Sequence, residues 1–375
     1  MSRSSSEPSD GLLAGIAAAP DAASLFAMTS DRLRRIAPFD AAVWVATDPI
    51  NGLTAAPVRI ENLQRGGCGV YWESEFLADA VNPFRHLTKS PVPVAGLREA
   101  SGDRPLSSPL YRDFMRPRGF DDELRAVFRV DGRPWGQLSL FRERGRAPFR
   151  AEEMAVVASL SSPMAQRLRS YAQSTEPPRR PSDTPGMLLF DRAGNLTSIN
   201  DEARRFLAEM PPGPSAATPS GIDLPLPVWI RSTVGRARET GGNARIRMRA
   251  LSGAWLVCHA SCLRGADDTE AMTAMTIGPA PVSEIATLVI AAYELTPRER
   301  EVTELIARGL STTEIASRLF LSPHTIRDHV KAIFEKVAVA SRGELVAKLY
   351  TEHYEPLVAP ESARNSAGSR QPGAW

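Results

Sequence analysis

The sequence predicts a multidomain α+β protein: two α/β domains in its longer N-terminal part, then an all-α domain of four helices. Three observations carry this. A Pro- and Ser-rich stretch, "STEPPRRPSDTPG" from Ser174 to Gly186, divides the N-terminal part. On both sides of it, segments alternating at period two are interleaved with segments repeating at helical period. From Thr296 onward, four helix-start signals crowd together with no strand pattern between them.

The bulk numbers set the frame. A chain of 375 residues has room for two or three domains, and 43% hydrophobic residues suffice for ordinary cores. A net charge of +2 excludes a global basic field, so any nucleic-acid site must be local. The 3 cysteines, Cys68, Cys258 and Cys262, make no disulfide framework. In "WLVCHASC", Cys258 and Cys262 fall on one strand face and His259 on the other, so buried reduced thiols in a cytoplasmic protein are expected and no metal site is. No apolar run approaches the roughly 18 residues of a transmembrane helix, so no membrane partner is expected. The start, "MSRSSSEPSDGLL", reads as a polar tail leading into a helix.

Along the chain, "DAASLFAMTSDRLRRI" has helical spacing and "AAVWVAT" reads as a buried strand. Leu124, Ala126, Phe128 and Val130 alternate up to the turn signal Asp131-Gly132, and alternation resumes from Trp135 to Arg142, which predicts a hairpin. A helix follows over Ala151–Arg169, with Pro163 expected to kink it. This order of helix, strands, closing hairpin and long helix resembles a GAF domain, covering residues 11–172. After a linker at 173–185, "GMLLFDRAGNLTSINDEARRFLAEM" reads as strand, turn, strand and a helix capped by Asn200. The helix "VWIRSTVGRARE" and the strands "ARIRMRA", "AWLVCHASCL" and "AMTAMTI" complete an order similar to a PAS domain over 186–282. The resemblances imply sensor modules. No cofactor is evident; the implied ligand is an unidentified small molecule in the GAF or PAS cavity. His86 and His259 are read as surface or hydrogen-bonded residues rather than haem ligands. "SEIATLVIAAYE", residues 283–294, is expected to form an apolar helix, either connecting the domains or finishing the PAS-like core, and residues 355–375 a disordered tail.

The C-terminal signals are dense. Thr296 and Glu299, Ser311 and Glu314, and Ser341 and Glu344 stand in capping-box relation, and Ser322 caps a helix with Pro323 at its first position. Val302, Leu305 and Ile306 line the first helix, and Gly309 suits a left-handed end. Ile315, Ala316 and Leu319 line the second, Ile326, Val330, Ile333 and Val337 the third, and Leu345, Val346 and Leu349 the fourth. Only "FLS" separates the second helix from the third, which is the spacing of a helix-turn-helix, whose second helix enters the DNA major groove. The wet face of that helix carries His324, Arg327, Asp328, Lys331 and Glu335.

"LTPREREVTELIARGLSTTEIASRLFLSPHTIRDHVKAIFEKV" strongly resembles the LuxR-type helix-turn-helix of bacterial transcription regulators, covering 295–351. The resemblance implies DNA-base contacts from Arg327, Asp328 and Lys331. It implies DNA-backbone contacts from Ser311, Thr312, Thr313, Thr325 and Lys336. It leaves His329 open, near the backbone or packed at the domain edge, and it places Arg342, Leu345, Leu349 and Tyr350 on an element used for dimerisation. Two departures weaken the match: Thr312 and Thr313 stand where family members commonly carry Asn-Lys, and Ala338 stands where they commonly carry Gly. Both point to modest affinity per subunit. The expected protein is therefore a cytoplasmic, homodimeric, DNA-binding transcription regulator controlled by a ligand, redox or partner signal. Double-stranded DNA and RNA polymerase are its expected partners. It is not expected to be an enzyme, since no catalytic constellation or phosphate loop is present. The alternatives are a sigma-factor-like polymerase subunit, which should be helix-rich upstream, and a sensor-fused enzyme.

Overall fold

The computed structural model describes residues 7–63, 71, 74, 75, 80–172, 184–211, 215, 216, 222, 224, 226–264, 270–280, 291–293, 295–346 and 348. One compact unit carries two five-stranded sheets, and a second carries the C-terminal helices.

The first sheet belongs to the GAF-like module. Helices α1 (Glu7–Ala18) and α2 (Ala22–Ile36) precede strands β1 (Ala41–Thr47) and β2 (Thr54–Glu61). Asp21 caps α2 by accepting from the Ser24 N–H at 2.8 Å. Strands β3 (Val94–Gly96), β4 (Phe120–Val130) and β5 (Arg133–Glu143) complete an antiparallel sheet of order β2-β1-β5-β4-β3. The β4–β5 turn is tight because Asp131 and Gly132 take positive φ, 51° and 71°. All seven residues of β1 are buried, as a central strand covered on both faces requires. On one face Trp44 sits between Phe26 of α2 and Phe128 of β4, with ring centroids 6.0 and 6.1 Å apart. On the other, Val43, Val45 and Phe141 pack with Tyr71 and Phe114.

The expected helix over Ala151–Arg169 is two helices: α3 (Ala151–Ser159) ends at Leu160 and α4 (Ser161–Ala172) begins after it. The break lies at the turn facing Pro163, whose nitrogen has no proton to give the preceding turn.

The second sheet follows from β6 (Gly186–Phe190) and β7 (Leu196–Ile199), α5 (Asp201–Glu209), α6 (Val228–Thr240), and β8 (Asn243–Arg249), β9 (Trp255–Arg264) and β10 (Glu270–Pro279). Asn200 caps α5 by accepting from the Ala203 N–H at 2.9 Å. The order is β8-β9-β10-β6-β7. Counted within its own five strands, each sheet runs second, first, fifth, fourth, third strand. Cys258 is buried and its thiol pushed up to about 12 by that burial, while His259 faces solvent. His86 is exposed as well.

The two modules are joined through a buried ion pair. Asp48, at the end of β1, has no exposed side-chain surface, and its Oδ2 lies 2.7 Å from Arg247 Nη1 of β8. The Arg247 backbone N–H donates to the same oxygen, and Asn51 Nδ2 donates to the Arg245 carbonyl. A single buried apolar cluster runs from Val43 and Phe141 to Leu188, Ile246 and Leu256.

The linker at 173–185 and the connecting helix at 283–294 fall mainly outside the described residues, and the tail at 355–375 falls wholly outside them. Of the connecting segment, Ala291, Ala292 and Tyr293 are described and buried.

Candidate nucleic-acid interface

The C-terminal unit carries helices α7 (Pro297–Ala307), α8 (Thr312–Leu319) and α9 (Pro323–Val337). Each starts as its cap predicts. Thr296 and Glu299 close a reciprocal box, the Glu299 carboxylate accepting from the Thr296 N–H at 2.7 Å. Ser311 and Glu314 repeat it at the same distance. Ser322 Oγ accepts from the Thr325 N–H at 3.0 Å. In the fourth helix, over 342–346, Ser341 accepts from the Glu344 N–H, but the Glu344 carboxylate takes the N–H of Ala340 instead of that of Ser341.

Helix ends matter as much as starts. Gly309 takes φ 85° after α7, as a glycine can at no steric cost. Phe320 takes φ 54° at the end of α8, which turns the chain sharply toward α9 and leaves the residue 95% exposed. Ala338 takes φ 55° and ψ 57° at the end of α9. The helices bury Val302, Leu305, Ile306, Ile315, Ala316, Ile326, Ile333 and Val337. Val330, expected on the same stripe, is half-buried. This core fixes which side of α9 stays wet.

That wet side holds His324, Arg327, Asp328, Lys331 and Glu335, all exposed. Their spacing places them within one stripe along the helix. The stripe carries two permanent cations and two carboxylates, so it is patterned rather than uniformly basic. His324 Nδ1 lies 3.0 Å from Asp328 Oδ2.

The expected backbone contacts divide. Ser311 is the N-cap of α8, and Thr312 and Thr313 are its first two residues, with Ser311 and Thr313 exposed. The N–H groups of such a first turn favour an anion. The Thr325 hydroxyl lies 2.9 Å from Ser322 Oγ within the cap of α9. Lys336 has a partner within the domain. At about 100° per residue it lies roughly opposite Arg327 around the helix. Its Nζ is 2.7 Å from Glu299 Oε2, a carboxylate with only 7% of its side chain exposed. Burial alone would push the Glu299 carboxyl up, but Lys336 and the Thr296 N–H together hold it below its ordinary value. Lys336 therefore ties α9 to the start of α7 on the side of the helix away from Arg327. His329 is half-buried.

The dimerisation set is corrected in part. Leu345 is completely buried within the chain, so its side chain is spent on the protein's own interior and presents nothing to a partner. Arg342 is half-buried and close enough to Glu314 to lower its carboxyl, after the larger effect of hydrogen bonds from Ser311. Leu349 and Tyr350 lie outside the described residues. Among the described residues no helix is long and apolar enough to cross a membrane, and no group of three or more His, Cys, Asp or Glu could hold a metal ion.

Residues 293–349 match the family of bacterial regulatory proteins, luxR family. The spore germination protein GerE of Bacillus subtilis is 46% identical over 55 residues, which make up 15% of this chain and 74% of that protein. The chain belongs to the luxR family. The luxR-type segment is a regulatory DNA-binding domain built on the α8–α9 helix-turn-helix, as its motif implied. An HTH-type transcriptional regulator of Mycobacterium bovis is 48% identical over 52 residues, 14% of this chain but 6% of that protein, so the chain spans a small part of that relative's length. Among solved structures, the GAF domain of a phosphoenolpyruvate-protein phosphotransferase from Coxiella burnetii is similar at 18% identity and a TM-score of 0.28, covering 44% of this chain and 95% of that one. That likeness is loose; the GAF-like module stands on its own order of helices and strands.

Proposed function

We propose that this protein is a sequence-specific, DNA-binding transcription regulator, with α9 as its recognition helix and its two sheet modules as signal sensors. The single observation that carries the reading is the patterned, exposed stripe on α9, held outward by a core that buries the opposite side of the same helix. Arg327 and Lys331 are four residues apart and can reach the same few base pairs, Arg327 suiting guanine acceptors. Asp328 belongs to the same reading face. Ser311, Thr312, Thr313 and Thr325 hold phosphate oxygens, which positions the helix without reading sequence. The protein acts in the bacterial cytoplasm as a homodimer and addresses RNA polymerase. Its input is a small molecule, a redox change or a partner met by the sensor modules. A sigma-factor role would call for further helical regions upstream; two five-stranded sheets stand there instead. No step of this function is enzymatic.

The test is selection of duplexes from a randomised pool by the full-length chain, followed by footprinting. The expected product is a pair of related half-sites about one helical turn, roughly 10 base pairs, apart, occupied by two chains. A single asymmetric site saturated by one chain overturns the dimer, and a pool that yields no enriched sequence overturns specific DNA binding.

A further inference from the structure

His324 is the second residue of α9 and the outermost member of its wet stripe. Its side chain is 81% exposed and that of Asp328 is 68% exposed. A pair so open to water adds little to folding, so stability does not explain it. The first turn of a helix-turn-helix recognition helix is the part that reaches base edges. The pair thus sits where readout happens.

The hydrogen bond also fixes chemistry. An ionised carboxylate has no proton to give, so at the 3.0 Å contact Nδ1 must donate to Asp328 Oδ2. The neutral ring is then held with its proton on Nδ1 and a bare lone pair on Nε2, at the opposite edge of the ring. At the same time, one carboxylate oxygen of Asp328 is already engaged within the helix.

We infer that His324 is a base-reading residue of this helix and that Asp328 is a positioning residue acting through it. The carboxylate holds the imidazole in one tautomer and orientation, and Nε2 accepts a hydrogen bond from a base. In the major groove the groups that donate are the exocyclic amines of adenine and cytosine. The opposite tautomer would point an N–H at those amines and be refused. This inference rests on the DNA-binding reading above and changes one assignment within it: Asp328 contributes through the ring of His324 and not by contacting a base itself.

The experiment uses the full chain and the duplex enriched from the randomised pool, with every base pair of a half-site then replaced singly. At one pair the native protein should prefer adenine or cytosine on one strand over thymine or guanine at that place by about two- to tenfold, the range of a single hydrogen bond. His324→Ala should abolish that preference and leave the preferences at other pairs intact. Asp328→Ala should weaken the same preference at the same pair and add nothing in the His324→Ala background. Both side chains are exposed, so neither change threatens the fold. If Asp328→Ala acts at a different base pair from His324→Ala and the two effects add, Asp328 reads its own base and the inference is overturned. It is equally overturned if His324→Ala alters discrimination nowhere. A pool with no enriched sequence removes the DNA-binding reading itself, a result distinct from either of these.

Discussion

Ala338 holds the left-handed conformation at the end of α9, with its N–H directed to the Glu335 carbonyl and the Val339 N–H to that of Phe334. An L-residue with a Cβ carries a cost there that glycine does not. Ala338→Gly should stabilise the end of α9 by about 1 kcal/mol, less whatever the looser unfolded chain takes back. Hydrogen exchange in the full chain would report this as slower exchange at the Ile333 and Val337 amides; unchanged or faster exchange would refute it. This residue was legible in the sequence only through the family resemblance, which places Gly at that position. Gly309 announced its own turn. Phe320 gave no signal, because an aromatic residue is a poor marker for positive φ and only the shortness of the turn forces it. Leu345 was misplaced, and the Glu299 partner of Lys336 missed, for a related reason: position along a helix does not say which neighbour a side chain meets.

At the scale of elements, β4 and the segment before β3 share a buried polar network. Arg125 of β4 donates to Glu75 at 2.8 Å and to Glu123 at 2.9 Å, and Ser139 of β5 donates to Glu123 at 2.8 Å. Arg125 is thus shared by two buried carboxylates. Burial pushes the Glu75 carboxyl up from 4.5 to about 7, outweighing the attraction of Arg125 and Arg85. The sign follows: the folded chain holds this proton more tightly than the unfolded one. The stabilisation it gives is full below pH 4.5 and is lost as pH rises through about 7. Glu75→Gln should therefore flatten that loss, with its stability relative to the native chain rising from pH 5 to pH 8. Urea unfolding followed by tryptophan fluorescence, with Trp44 in the core, measures it; a pH-independent difference would count against the assignment. Arg125→Met, by contrast, takes the shared guanidinium away from two buried carboxylates and should cost about 3–5 kcal/mol. Strands, hairpin and caps in this module were legible because period and turn chemistry are local. The network was not, since Glu75 and Arg125 are 50 residues apart and nothing local pairs them.

For the whole molecule, the succession of two α/β modules and a helical domain was readable from period and composition alone. The joint between the first two was not. Asp48 and Arg247 lie 199 residues apart, each unremarkable in its own segment, and meet only because β1 and β8 are brought together in the fold. The C-terminal domain was the most legible part because caps, apolar stripes and turn length agreed there. Its function turns on whether the wet face of α9 reads bases. The direct measurement is the affinity of the full chain and of Arg327→Ala for the enriched duplex and for a scrambled one, across a salt series. Arg327→Ala should lose about 1–3 kcal/mol on the enriched duplex, with little change on the scrambled one and discrimination flattened at one base position. Equal proportional losses on both duplexes would show that Arg327 only attracts phosphate, and would contradict base reading by this helix.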